Sequence, residues 1–156
     1  MDTSKQISNA PLYYFEDLSV GQRFVSGTHF IDEEQIITFA KQFDPQPFHT
    51  DPEAAKATFF QGLVASGWHT AAITMKLLVS CGLTIPGGMI GAGGEATWPQ
   101  PTRPGDILHV EVEVIEMRPF KSRPNRGLVT IRTETLNQKG EVVQTLVAKL
   151  FVPRRP

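Results

Sequence analysis

The second half of this 156-residue chain has the pattern of a series of strands, and this feature constrains the fold more than any other. Apolar and polar side chains alternate over 108–115, the period expected of a strand buried on one face. Further strands are predicted at 89–98, 128–136 and 141–152, and the last two are joined by a turn at 137–140. Because these connections are short, the strands are expected to pair antiparallel.

The first half of the chain is mainly helical. After a strand predicted at 24–31, a helix begins at Asp32, which can cap it and form a capping box with Gln35. The apolar residues with helical spacing that should face the core are Ile36, Ala40 and Phe43. A second, short helix begins at Asp51, because Pro52 suits the first position of a helix.

A third helix is predicted from Gly67 to about Val79, with Ser66 as its cap. Its apolar stripe consists of Trp68, Ala71, Ala72, Met75 and Val79. Other apolar residues cover its remaining faces, and a helix that is apolar nearly all round is buried. We therefore predict an α+β fold in which an antiparallel sheet of about five strands surrounds a buried central helix. Residues 1–12 are expected to form a flexible arm, and 13–156 a single domain.

Charge and cysteine content exclude several classes of protein. A formal net charge of −1 and a pI of about 6.4 give no case for binding nucleic acid or an anionic membrane. The lone Cys81 forbids an internal disulfide and fits a reducing cytoplasm. The polar start of the chain lacks the apolar core of a signal peptide, and the stretch 71–83 is too short to span a bilayer. We expect a cytoplasmic protein.

Asp44 and His49 are the side chains best suited to acid–base chemistry. Pro45 and Pro47 prevent the preceding helix from continuing past Asp44, so 44–49 should form an extended or turning segment. Such a segment can point both side chains into one cavity, where a carboxylate and an imidazole can polarise one water. Taken alone, the spacing favours an aspartate that closes a helix and a solvated loop histidine.

Ser66 and Gly67 are a second candidate, for binding an oxyanion. The first N–H groups of a helix have no intrahelical partner and carry partial positive charge. Because Gly67 lacks a Cβ, a ligand oxygen could approach its backbone closely, as in an oxyanion hole. An ordinary serine cap explains the same two residues.

Taken together, these segments resemble a known family. Residues 43–49, 51–55 and 62–68 are similar to the hydratase signature of MaoC-like dehydratases, the (R)-specific enoyl-CoA hydratases of the hot-dog fold. The resemblance covers roughly residues 13–152 and includes the segment Arg103-Pro104-Gly105-Asp106. Gln46 departs from the family, whose commoner pattern carries Asn at this position.

The resemblance implies a hydro-lyase of fatty acid metabolism that interconverts trans-2-enoyl-CoA and (R)-3-hydroxyacyl-CoA. Asp44 and His49 would activate the water, the Gly67 N–H would bind the thioester oxygen, and Ser66 would support Asp44. The substrate-binding residues would be Gln46, Phe48 and Trp68. The family's reaction requires neither a metal nor a cofactor, with the acyl group carried by CoA or an acyl carrier protein. The resemblance also implies a homodimer whose sheets join edge to edge.

Two other functions remain open on the sequence. A hot-dog thioesterase would hydrolyse the same acyl-CoA, but many such enzymes place an acidic residue on the central helix, and 66–83 contains none. A non-catalytic domain that binds acyl thioesters is the second alternative, and the pair of Asp44 and His49 argues against it. Cys81 is expected to be an inert core thiol, and the histidines lack the spacing of metal ligands.

Overall fold

The computed structural model describes residues 11–156, so most of the predicted flexible arm lies outside the described residues. After a 3₁₀ turn at Phe15–Asp17, the helices are α1 (Glu33–Phe43), α2 (Pro47–Thr50), α3 (Pro52–Ala55) and α4 (Gly67–Val79). The strands are β1 (Arg23–Val25), β2 (His29–Phe30), β3 (Ile90–Thr97), β4 (Ile107–Pro119), β5 (Arg126–Leu136) and β6 (Val142–Pro153). The predicted α+β class is confirmed.

Within the described residues the strands form one six-stranded antiparallel sheet. Its order is β1-β4-β5-β6-β3. The short strand β2 pairs with the start of β4, on the same edge as β1. The strands predicted in the second half of the chain are all present, and the predicted turn joins β5 to β6. The Asn137 side chain stabilises this turn, because its oxygen accepts hydrogen bonds from the Lys139 and Glu141 N–H groups, both at 3.0 Å. At the other end of the described chain, Leu12 forms a single parallel bridge with Thr84.

The core lies between one face of the sheet and α4. Every second residue of β4, from Leu108 to Val114, is fully buried, as the alternation predicts. These side chains belong to one apolar cluster with Ile73, Leu77 and Leu78 of α4. In the part of the chain that the structure describes, no helix has the length and apolar character needed to cross a membrane.

The strand predicted at 24–31 is divided in two, and this expectation was wrong. Both β1 and β2 pair with β4, but the chain leaves the ladder between them at Ser26. The Ser26 hydroxyl accepts from the Val110 N–H at 2.8 Å, and the Ser26 N–H donates to the Val110 carbonyl at 3.0 Å. A serine side chain therefore replaces one backbone acceptor of the ladder, which the alternation of apolar residues could not reveal.

Helix α1 begins as predicted, with Asp32 accepting from the Gln35 N–H at 2.9 Å. The second bond of the predicted capping box, from the Asp32 N–H to the Gln35 side chain, is not found among residues 11–156. The Gln35 side chain bonds to His29 and to the Phe30 carbonyl instead. Phe43 was predicted to face the core but is 63% exposed. It stands in the last turn of α1, beyond the buried cluster, and leans on Phe39 at a ring distance of 5.0 Å.

Helix α4 has the predicted bounds and cap, but a different face is buried. Its buried residues are His69, Thr70, Ile73, Thr74, Leu77 and Leu78. Of the predicted stripe, Trp68, Met75 and Val79 are 66%, 42% and 54% exposed in the single chain. Thr70 and Thr74 are buried because their hydroxyls bond to Thr102 and Thr135, at 3.0 and 2.6 Å. A pattern of apolar residues cannot predict a buried face that is partly made of hydrogen-bonded threonines.

Candidate active site

The end of α1 places Asp44 at the start of the candidate site. Asp44 closes the helix, since its N–H donates to the Ala40 carbonyl at 2.8 Å, and Pro45 blocks a further turn. Its side chain then accepts two hydrogen bonds, from the Gln46 amide at 2.6 Å and from the Ser66 hydroxyl at 2.7 Å. A helix-closing role therefore accounts for the backbone of Asp44 but not for its carboxylate.

His49 comes from α2, which replaces the second half of the extended segment predicted for 44–49. Pro47 begins this single turn of helix, and the turn directs the imidazole inward, where His49 is 5% exposed. Its Nδ1 lies 2.7 Å from the Val64 carbonyl oxygen. Because a carbonyl can only accept, Nδ1 carries the proton, and Nε2 of the neutral ring bears the lone pair.

The lone pair of His49 and the carboxylate of Asp44 face each other. His49 Nε2 lies 3.3 Å from Asp44 Oδ2, the oxygen that also accepts from Ser66. Burial by itself would raise the pKa of Asp44, but the hydrogen bonds from Ser66 and Gln46 hold that pKa below its ordinary value. The pair therefore combines an ionised carboxylate with an imidazole nitrogen that is free to accept a proton.

Ser66 and Gly67 form the start of α4, directly beside this pair. Ser66 is fully buried, and its hydroxyl both donates to Asp44 and accepts from the Trp68 N–H at 3.3 Å. Gly67 is the first residue of the helix, a position whose N–H has no intrahelical acceptor. The structure thus brings Asp44, His49, Ser66 and Gly67 together, and their catalytic roles stay predictions.

A cavity of about 320 Å³ opens next to the pair, with His49 and Gly67 in its wall. Its aromatic lining is Phe48, Phe59, Phe60 and Trp98, and its hydroxyl lining is Thr70 and Thr102. Phe59 is 93% exposed and marks the mouth, whereas Thr70 and Thr102 are 2% and 3% exposed and mark the inner end.

Of the three predicted substrate-binding residues, only Phe48 lines this cavity. Gln46 instead donates to Asp44, and Trp68 projects outside, with its ring edge-on to Trp98 at 5.7 Å. Their roles toward a substrate stay predictions. Trp98 is a lining residue that sequence reasoning missed, since 89–98 was interpreted only as a strand. The signal available was an aromatic residue at the end of a strand, followed at once by Pro99 and Pro101.

The other polar candidates lie apart from the cavity wall. His69 stacks on Phe39, with parallel rings 4.4 Å apart, and burial, followed by the charge of His29, lowers its pKa from 6.5 to about 4. Burial likewise raises the pKa of the Cys81 thiol. Among residues 11–156, no group of three or more His, Cys, Asp or Glu side chains is placed to hold a metal ion.

Comparison with known proteins places this geometry in context. A family described as "MaoC like domain" matches residues 18–137. An (R)-specific enoyl-CoA hydratase of Rhodospirillum rubrum is 33% identical over 146 residues, which cover 92% of this chain and 94% of that protein.

Solved structures show the same architecture. The crystal structure of the MaoC-like dehydratase from Rhodospirillum rubrum is 58% identical and superposes with a TM-score of 0.90, covering 92% of this chain and 99% of that one. The R-hydratase PhaJ1 of Pseudomonas aeruginosa, in its unliganded form, is 29% identical with a TM-score of 0.73, covering 91% of this chain and 86% of that one.

Proposed function

This chain belongs to the MaoC-like dehydratase family and has its hot-dog fold, and on that premise we propose that it hydrates trans-2-enoyl-CoA to (R)-3-hydroxyacyl-CoA and catalyses the reverse dehydration. Membership of the family supports hydratase chemistry on an acyl-CoA substrate in general, without defining the acyl group. The observation that carries the specific proposal is the 3.3 Å approach of His49 Nε2 to Asp44 Oδ2, beside the first N–H of α4.

The water would lie to one side of the close approach between Asp44 and His49 and bond to both. One of its O–H bonds would point to the carboxylate and the other to Nε2, the nitrogen that bears the lone pair in the neutral tautomer selected by the Nδ1 bond to the Val64 carbonyl. The water oxygen forms a bond to the β-carbon while one O–H bond breaks, and the proton released is taken up by the pair. The pair then gives a proton to the α-carbon, so that both groups return to their starting state.

The Gly67 N–H would stabilise the charge that this addition creates. As the β-carbon accepts the water oxygen, the electrons of the double bond move toward the thioester oxygen, which becomes an enolate. A backbone N–H at the start of the 13-residue helix α4 offers a hydrogen bond and the positive end of the helix dipole to that oxygen. Removing one such donor typically lowers the rate by about 10²–10³.

The relatives support CoA as the acyl carrier, since the Rhodospirillum rubrum relative is an enoyl-CoA hydratase by name. The test is an assay of the purified protein with crotonyl-CoA, in which absorbance of the conjugated thioester and release of free thiol are followed together. We expect the absorbance to fall without thiol release, and the product to be (R)-3-hydroxybutyryl-CoA. Release of CoA thiol would favour the thioesterase instead.

We further propose that the protein acts as a homodimer. β3 is an edge strand of the sheet, and seven of its eight residues are exposed in the single chain. Unpaired edges of this kind are templates for pairing with another strand. The exposed apolar face of α4, which includes Trp68, Met75 and Val79, would also be covered by a second copy. Light scattering should give twice the mass of the chain, and a monomer at micromolar concentration would contradict this proposal.

A further inference from the structure

Trp98 packs so closely against the backbone of Gly67, the proposed oxyanion donor, that no residue with a Cβ would fit at this position without displacing the ring. A Cβ built on Gly67 would lie 2.9 Å from Trp98 Cε2, and 3.1 Å from both Cδ2 and Cζ2. The indole therefore fills the space that the missing side chain of Gly67 leaves. A thioester oxygen bound at the Gly67 N–H would place its acyl group beside this ring.

The indole, which is 42% exposed, forms a wall of the cavity that runs from the surface toward its buried end. Its ring nitrogen points to Gln144, which is fully buried on β6 next to the cavity-lining Val143. Thr70 and Thr102, whose hydroxyls bond to each other at 3.0 Å, complete this buried end. An acyl chain that extends inward from Gly67 would thus meet the indole and these threonines.

A chain of polar side chains fixes the position of the indole. Trp98 Nε1–H donates to Gln144 Oε1 at 2.9 Å, and because the indole can only donate, this contact also sets the orientation of the Gln144 amide. Gln144 Nε2 donates to the Thr74 hydroxyl at 3.2 Å, and Thr74 lies 2.6 Å from the Thr135 hydroxyl. Three elements, β6, α4 and β5, therefore hold Trp98 in one place.

Burying the Gln144 amide in an otherwise apolar core costs free energy unless its polar atoms find hydrogen-bond partners there. Among residues 11–156, the hydrogen-bond partners of the Gln144 side chain are the indole and Thr74. The cavity is also small, at about 320 Å³ near the lower end of ligand-binding cavities.

We infer that Trp98 is the specificity-determining residue of this site and Gln144 is its positioning residue, and that together they limit the enzyme to short acyl chains. The inference rests on the proposed hydratase function and names its substrate class. The indole narrows the cavity beside Gly67, and the Gln144 amide holds it there.

The experiment compares kcat/KM for crotonyl-CoA and trans-2-octenoyl-CoA in the wild type, Trp98→Ala and Gln144→Leu. We expect the wild type to prefer crotonyl-CoA, and Trp98→Ala to shift the ratio toward octenoyl-CoA by about tenfold or more, because a single methylene group already discriminates by that order. Gln144→Leu should shift the ratio in the same direction by less. An unchanged ratio in a folded Trp98→Ala protein would overturn the inference.

Phe30→Ala is the control, because Phe30 is an exposed aromatic residue on β2 that does not line the cavity. Its ratio should stay at the wild-type value, and a shift equal to that of Trp98→Ala would contradict a special role for Trp98. Should Trp98→Ala fail to fold, Trp98→Phe keeps a ring over Gly67 and should give a smaller shift in the same direction.

A spectroscopic readout separates positioning by Gln144 from general loosening. In a Trp68→Phe background only Trp98 fluoresces among the described tryptophans, and loss of the Gln144 acceptor should change its emission. An emission spectrum identical with and without the Gln144→Leu change would overturn the positioning role.

Failure of the proposed function gives a different result. If the wild type hydrates no enoyl-CoA, the hydratase assignment falls, and the inference is then tested by calorimetric binding of butyryl-CoA and octanoyl-CoA. Tighter binding of octanoyl-CoA by Trp98→Ala than by the wild type would support it, and equal binding would overturn it.

Discussion

At the scale of single residues, the carboxylate of Asp44 is distinguished by its partners. It ends α1, as many aspartates do, yet it also accepts from Gln46 and Ser66 and faces His49. These contacts come from α2 with its cap and from the cap of α4, so that no single local structure requires them. Their common effect is to keep the carboxylate ionised, with a lowered pKa, next to an imidazole lone pair.

Ser66→Ala tests the hydrogen bond from the Ser66 hydroxyl to the Asp44 carboxylate. A hydrogen bond to a charged group contributes about 1.5–3 kcal/mol, so the variant should lose stability and, under the proposed mechanism, activity. The folded pKa of Asp44 lies below its unfolded value, so the stability it contributes is present above the unfolded pKa and lost as pH falls through the folded one. The stability gap between Ser66→Ala and wild type should therefore be wide at neutral pH and shrink in acid.

The measurement is urea unfolding at about pH 7 and at about pH 3, on either side of the ordinary aspartate pKa. Ser80→Ala is the matched control, since Ser80 caps the opposite end of α4 and bonds only to the Leu77 carbonyl. A stability gap for Ser66→Ala of the same size at both pH values would contradict the ionised pairing.

Gly67→Ala provides a second test at this scale. Alanine is favoured over glycine inside helices, but here its Cβ would lie 2.9 Å from Trp98 and must displace the indole. We expect Gly67→Ala to lower kcat/KM by about tenfold or more under the proposed mechanism. In a Trp98→Ala background the same change should cost much less. Equal costs in the two backgrounds, measured as a double-mutant cycle, would show that Trp98 is not the obstacle.

At the scale of elements, helix starts and strands could be predicted because their causes are local. Asp32, Pro52 and Ser66 each begin the helix that the sequence indicates, and the alternation in β4 matches its buried face. The errors arose where side chains from distant segments intervene. Ser26 enters the β4 ladder, and Thr74 is buried by Thr135, a partner 61 positions away.

The candidate site was predictable to a similar extent. The pattern of Asp44, His49 and Gly67 pointed to the groups that we propose to react, but Trp98 and Gln144 approach them only through pairing of β3 with β6. Spacing along the chain contains no information on such a contact. The sequence also could not predict which face of α4 packs against the sheet, because apolar residues occur on both candidate faces.

Asp32→Ala tests the cap of α1, the helix that carries Asp44. Loss of the bond to the Gln35 N–H should lower the free energy of unfolding by about 1 kcal/mol. Asp32→Asn, which retains a capping oxygen, should be nearly neutral and is the control. Both stabilities come from urea titration. A loss for Asp32→Asn as large as that for Asp32→Ala would contradict the capping role.

At the scale of the whole molecule, His69 makes stability depend on pH. It is 8% exposed, and within the described residues its Nδ1 has no hydrogen-bond partner. Its pKa falls from 6.5 to about 4 on folding, so the unfolded chain binds more protons between those values. Stability should therefore fall by about 3 kcal/mol as pH decreases across this window.

His69→Phe removes this proton while keeping a ring stacked on Phe39. Between about pH 6.5 and pH 4, the variant should lose about 3 kcal/mol less stability than the wild type, since it lacks the group that titrates. The check is chemical denaturation of both proteins at several pH values across the window. Parallel stability curves would mean that the buried imidazole is not the cause.

The most direct test of the account is the rate of crotonyl-CoA hydration by the wild type, Asp44→Asn and His49→Gln. Acid–base groups of this kind typically contribute about 10²–10⁴ in rate. We expect each variant to lose at least about a hundredfold in kcat/KM, while circular dichroism and the unfolding midpoint show a folded protein. His109→Gln on β4, outside the cavity wall, should retain wild-type activity. Near-normal hydration by folded Asp44→Asn and His49→Gln would contradict the central claim that this pair activates the water.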